Sequence, residues 1–218
     1  MPSGIKVVFE DAFLIVIEKP ENLLSIASAT ERNKTAYSFL THYVRRGNPH
    51  SRERVWIVHR LDREASGLMV FAKTEAAKRA LQAHWNETEK RYLAVVEGRP
   101  PADQGVLKSY LDESGPFKVY SAPPSERTRH AVTHYRLMKR IATGALIELI
   151  LQTGRRNQIR VHLADAECPI IGDRKYAART NPARRLGLHA SSLQFKHPSS
   201  GELLRFQSPL PRILARLL

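Results

Sequence analysis

Two strand-like runs, 131–139 and 145–152, face each other across Thr143-Gly144, a turn short enough to demand an antiparallel hairpin. In the second run Ile147, Leu149 and Leu151 share one side and Glu148 takes the other, the period-two pattern of a half-buried strand. Such a face must be covered, so the rest of the chain has to supply further strands or helices to pack on it. Short strands are predicted over 5–9 and 13–18, parted by Glu10-Asp11, and over 55–58, 67–72, 91–97, 188–195 and 203–207. Helical spacing appears in 35–45, through Ala36, Phe39, Leu40 and Tyr43, and stops at Gly47-Asn48-Pro49. It returns in 75–86 and 158–166. Strands and helices follow one another without regular alternation, which predicts an α+β fold. We expect a mixed, mostly antiparallel central sheet with flanking helices and loops. Residues 1–218 are expected to form one domain, or two closely packed halves, with 121–129 as a mobile loop around Pro123-Pro124.

Charge narrows the partner. The 218 residues carry a formal net charge of +14, and after Ile170 nine Lys or Arg stand against Asp173 and Glu202 alone. A surplus of this size favours a polyanion, because neutralised phosphates release their counterions. Other classes lack their signals. Lone Cys168 supports neither an internal disulfide nor a cysteine-rich metal cage. No apolar run approaches the roughly 20 residues that cross a bilayer, and Met1–Glu10 has no charged-then-apolar leader, so no membrane and a cytoplasmic location are expected. There is no Gly-rich phosphate loop, no dinucleotide fingerprint and no His-Glu-x-x-His pair. His130 and His134 are four apart, but in a strand-like run where that spacing does not converge. Chemistry by side chains alone is expected, with no metal, no nucleotide and no other cofactor.

The segment His59-Arg60-Leu61-Asp62-Arg63-Glu64-Ala65-Ser66-Gly67 lies as a polar loop between two apolar runs. Arg60 and Arg63 flank Asp62 and favour its ionised form. This stretch closely resembles the catalytic motif of pseudouridine synthases of the RluA type. Three further blocks resemble that family in the same order: 90–98 with Tyr92, 153–163 with Arg160, and 169–176 followed by Leu188-His189-Ala190.

The resemblance implies the pseudouridine synthase fold with its catalytic cleft, and isomerisation of uridine in ribosomal or transfer RNA by a monomer. Asp62 would be the catalytic carboxylate and Arg160 the cation that keeps it ionised against burial. Tyr92 would stack on uracil and relay its proton. Arg60 would assist extrusion of the base or else brace Asp62, and Ile159 would pack on the base. Arg155 and Arg156, at an expected helix start, would clasp RNA phosphate. His59, Asn157 and Gln158 complete the expected substrate-binding set. Ala65 stands where the family usually has Thr, and Arg156 and Asn157 replace residues that are commonly Thr or Ser and His. Many relatives carry a small N-terminal RNA-binding domain. Here the resemblance starts within the first ten to twenty residues, so the basic surface is expected to supply most of the affinity. Two other readings stand beside this one: an RNA-binding folding factor with lost or dispensable catalysis, and a base-excising hydrolase. The second needs paired carboxylates, and Asp62 has no convincing partner in sequence.

Overall fold

The apolar run at 67–72 becomes a strand whose seven residues, Ser66–Ala72, are all buried. The computed structural model that shows this describes residues 4–28 and 31–218. The first three residues of Met1–Glu10, the stretch without a leader pattern, therefore lie outside the described residues. Two units emerge, Met1–Thr88 with Ser192–Ser208, and Glu89–Ser191 with Pro209–Leu218.

In the first unit β1 (Lys6–Glu10) pairs antiparallel with β2 (Leu14–Lys19). Helix α1 (Ala36–Val44) and the short β3 (Trp56–Ile57) come next in the chain. The buried run is β4 (Ser66–Ala72), antiparallel to β2 and to β3. Thr35 caps α1 by accepting the Ser38 N–H at 3.0 Å, and Ser38 returns the bond to the Thr35 N–H. Thr74 caps α2 (Glu75–Ala83) in the same manner through the Ala77 N–H. Ala77 and Leu81 of α2 then pack with Leu14, Val16, Leu68 and Val70 of the strands. The later half of β10 (Leu188–Lys196) adds Leu193 and Phe195 to this core, and β11 (Leu203–Gln207) pairs with it.

The second unit holds β5 (Glu89–Glu97), β6 (Gln104–Asp112), β7 (Tyr120–Ser121), β8 (Thr128–Ile141) and β9 (Gly144–Leu151). Their order is β5-β9-β8-β6-β7, with every neighbour antiparallel. The expected hairpin is present as β8 and β9, closing at Ile141 and Gly144. A Cβ on Gly144 would fall 1.8 Å from the Val96 carbonyl oxygen, so only glycine allows β5 to approach this turn. Helix α3 (Gln158–Asp165) packs Val161 against Leu111 and Ala131 of the sheet, and α4 (Arg212–Ala215) packs Leu214 with Val95 and Ile171.

The α+β expectation and its mostly antiparallel sheet hold. β6 and β7 were not anticipated. The stretch expected to be mobile, 121–129, instead carries a hydrogen-bonded turn: Thr128 Oγ1 accepts the Ser125 N–H at 2.8 Å and lies within reach of the Ser125 and Pro123 carbonyls. Among the described residues no helix is long and apolar enough to cross a membrane.

Candidate active site

In the first unit a buried ammonium organises the loop that carries Asp62. Lys19, 1% exposed, directs Nζ at the carbonyls of Pro20 (2.8 Å), Leu23 (2.8 Å), Ala65 (2.7 Å) and Arg63 (3.2 Å). A charge out of water survives only if such dipoles replace its hydration. Ser25 fixes the other side of the loop, donating to the Leu61 carbonyl (2.8 Å) and accepting the Leu61 N–H (3.1 Å). Asp62 is therefore a half-buried carboxylate between two anchored residues.

The neighbours of Asp62 divide by role. Arg60 is exposed, and among the described residues no hydrogen bond or ion pair holds its side chain, which leaves it available to a ligand. His59, expected to bind substrate, uses Nε2 to accept the Val70 N–H at 3.1 Å and lays its ring 4.5 Å from that of Trp85. It acts as a brace of the loop on β4. Ala65, where a hydroxyl is usual, is buried, and its carbonyl serves Lys19.

In the second unit Tyr92 is buried on β5, on the same side as Ala94 and Val96 and directly opposite Leu149. One strand further lies Tyr135, whose ring occupies the space where Gly105 lacks a side chain. Lys90, two residues before Tyr92 and so on its side of the strand, is also buried, and burial pulls its pKa down. Residues 158–163 of α3 are all buried. Among them Ile159 is an apolar residue of the expected site and Arg160 the expected cation.

Arg160 is held by a carboxylate to which the sequence had assigned no role. Its Nε donates to Asp173 Oδ2 at 2.7 Å and its Nη2 to Asp173 Oδ1 at 2.8 Å, the bidentate geometry that fixes a guanidinium plane. The Tyr176 ring lies 5.1 Å from the guanidinium carbon.

Three further expectations change on the geometry. Gln158 is 2% exposed: its amide N–H groups bond the Val132 carbonyl (3.0 Å) and Thr133 Oγ1 (2.9 Å), and its oxygen accepts from Thr153 Oγ1 and the Arg155 N–H. All its bonding capacity is used inside the protein, so it shapes the helix entry and does not read a substrate. At that entry Glu113 accepts the Arg156 N–H, and Arg156 Nη2 donates to the carbonyls of Glu113 and Gly115. The protein's own carboxylate thus meets the positive helix end for which a phosphate was expected. Asn157 is left-handed (φ 52°), and its side-chain oxygen lies 3.4 Å from Lys175 Nζ and 3.3 Å from the Tyr176 hydroxyl. Arg155 is exposed, with Nε on the His130 carbonyl at 3.2 Å, and still presents charge to solvent.

Cys168 is buried and its thiol is pushed up to about 11, which makes it a poor nucleophile. Among the described residues no three His, Cys, Asp or Glu gather as a metal site.

The chain belongs to the RNA pseudouridylate synthase family, which residues 13–165 match. It is an isomerase that acts on RNA. The ribosomal large subunit pseudouridine synthase D of Xanthomonas campestris pv. campestris is 35% identical over 230 residues, covering 98% of this chain and 68% of that protein. Its namesake in Neisseria meningitidis serogroup B is 35% identical over 233 residues, covering 100% of this chain and 61% of that protein. The structure of the human RNA pseudouridylate synthase domain containing 4 superposes with a TM-score of 0.78 at 26% identity, covering 96% of this chain and 90% of that one.

Proposed function

We propose that this chain converts uridine to pseudouridine in ribosomal RNA of the large subunit, with Asp62 as the catalytic carboxylate. The observation that carries the assignment is the bracing of the loop: Leu61 is tied by Ser25, Arg63 and Ala65 by Lys19, and the side chain between them is a carboxylate. Catalysis requires a reacting group held in place before substrate arrives, and backbone anchors on either side achieve this.

The reaction breaks the bond from the ribose carbon to the uracil nitrogen, turns the ring, and rejoins it through a ring carbon. That carbon loses a proton and the freed nitrogen gains one, so no oxidant or second substrate is consumed. Asp62 starts the process, Arg160 supplies the positive charge that favours an ionised carboxylate, and Tyr92 stacks on the base and handles its proton. Ile159 packs against the base, and Arg60, with no internal partner among the described residues, fills the place of the extruded nucleotide. Arg155 and the exposed basic residues after Ile170 engage phosphate. The ribosomal target is supported by the names of the relatives. Residues 1–218 act as one catalytic domain, as a monomer, in the cytoplasm and without cofactor.

The test is Asp62→Asn, which keeps size but removes the charge and the nucleophile. Pseudouridine formation on large-subunit ribosomal RNA should fall below detection, while RNA binding stays within about tenfold of the wild type. Normal product from this variant would overturn the assignment of Asp62, whereas RNA binding by the wild type without any product would favour an RNA-binding folding factor.

A further inference from the structure

Lys19 and Ser25 join the segment 20–25 to the loop 61–65, and beside that junction the first unit carries a cleft of about 280 Å³. This is just under the usual range of ligand sites, about 300–1,000 Å³, and leaves room for no more than a single nucleotide unit. Its lining combines two chemistries. Leu23, Leu24 and Phe39 make an apolar floor with an aromatic ring, and Lys34 and Arg63 bring positive charge. Neither cation is committed elsewhere among the described residues. Lys34 is exposed with no hydrogen bond to its ammonium, and Arg63 makes only a long bond, Nε to the Asn22 carbonyl at 3.4 Å. The one acid of the lining, Glu31, accepts the backbone N–H groups of Lys34 (2.9 Å) and Asn33 (3.0 Å), which with the weaker pull of the Lys34 and Arg63 charges hold its carboxyl below the usual range.

An aromatic and aliphatic floor beneath cations free of close hydrogen-bonded ion pairs is the combination that takes one base and its phosphate from a single strand. Location gives the cleft its meaning. Arg63 follows Asp62 directly in the chain, so their Cα atoms are about 3.8 Å apart. The Leu23 carbonyl in the floor shares the Lys19 ammonium with the Arg63 and Ala65 carbonyls. A nucleotide seated here therefore rests on the framework that positions the catalytic loop.

We propose that this cleft binds a ribonucleotide neighbouring the target uridine, its base on Leu24 and Phe39 and its phosphate at Lys34 and Arg63. The placement beside the target rests on Asp62 being the catalytic carboxylate. The cleft would make the enzyme sensitive to the RNA sequence next to the modified site.

The test pairs protein and RNA changes. Stem-loop transcripts with a seven-uridine loop, each with one abasic loop position, are titrated by fluorescence anisotropy against the wild type, Phe39→Ala and Lys34→Ala. One abasic position should weaken wild-type binding about tenfold, and the same position should cost Phe39→Ala nothing more. Lys34→Ala, an exposed change without risk to folding, should weaken binding of all transcripts and lower the salt slope by about one contact. If Phe39→Ala is unfolded by circular dichroism, Phe39→Leu replaces it and should reduce the same abasic penalty. Losses that multiply at every loop position, or an unchanged salt slope for Lys34→Ala, would overturn the proposal. Product formation by the wild type on large-subunit ribosomal RNA separates the two ideas: product without the coupling sinks the cleft alone, and coupling without product sinks the activity alone.

Discussion

Acid should destabilise this protein through His162 before most of its carboxylates matter. The imidazole lies in α3, 2% exposed, with Nδ1 2.9 Å from Thr133 Oγ1 and Nε2 3.0 Å from Ser109 Oγ. Two hydroxyls satisfy a neutral ring, one as donor and one as acceptor, and neither offers charge to an imidazolium. Burial pulls the pKa from 6.5 down to about 4, opposed only in part by the charge of Asp165. The folded chain thus takes up this proton later than the unfolded chain. Between pH 6.5 and about 4 the unfolded state binds more protons, so stability is full above 6.5 and declines as pH falls through that window. Integrated from pH 7.5 to 4.5, the loss is about 2–3 kcal/mol, a sizeable part of the 5–15 kcal/mol that holds a domain together. Urea unfolding of the wild type and of His162→Gln across that range isolates the contribution, since glutamine keeps a donor and an acceptor but does not titrate. Carboxylates held low, such as Asp11 and Glu97, act equally in both proteins and subtract out. The variant should start less stable at pH 7.5, and the two curves should converge by about 2–3 kcal/mol toward pH 4.5. Parallel curves would refute the reasoning, because they would mean that His162 has the same proton affinity folded and unfolded.

Three further outcomes follow from buried contacts. Asp173→Asn removes the carboxylate that grips the buried Arg160 guanidinium bidentately and should lower stability by about 3 kcal/mol in a denaturant titration; a loss under 1 kcal/mol would show that Asp173 matters little to Arg160. Lys19→Met removes the donor shared by four carbonyls and should reduce kcat at least tenfold with a smaller change in KM, read by single-turnover product formation. Gly144→Ala forces a Cβ into the Val96 carbonyl and should cost about 3 kcal/mol or abolish soluble expression; wild-type stability would mean that β5 and the turn separate freely.

What the sequence revealed of the fold depended on where water sits. β2, β4 and β5 are buried along most of their length, so apolar runs announced them. The β8–β9 hairpin was announced by alternation and by Gly144. β6 gave no such signal because eight of its nine residues are partly or fully exposed, with Gly105, Lys108 and Ser109 interrupting any apolar period. It is a strand because its backbone pairs with nine residues of β8. The site divides in the same way. Asp62, Tyr92 and Arg160 stood out through ordered motifs. The residues that hold the machinery did not, since Lys19 reaches Ala65 over 46 positions and Ser25 reaches Leu61 over 36. His59 and Gln158 were expected to touch substrate because a polar residue in a motif looks the same whether it faces a ligand or a backbone amide. Only the bonds they make distinguish the two.

The same distinction applies to charge, where a count of basic residues overstates what RNA meets. Of the nine Lys and Arg after Ile170, eight are exposed, whereas Arg185 is buried with Nε on the Leu186 carbonyl. Lys19, Lys90 and Arg160 are buried as well. Lys19 is solvated by carbonyls and Arg160 is held by Asp173, so neither charge is presented to solvent. Arg156 likewise turns its guanidinium to two carbonyls. Such cations gain little from meeting RNA phosphate, because their partners lie inside the protein. The salt dependence of binding should therefore follow the exposed residues, Arg60, Arg63, Lys34 and Arg155 with the eight after Ile170, and not the net charge. The buried cations serve a different end. Lys19 orders the loop of Asp62, Arg160 ties α3 to Asp173, and both do so at any ionic strength.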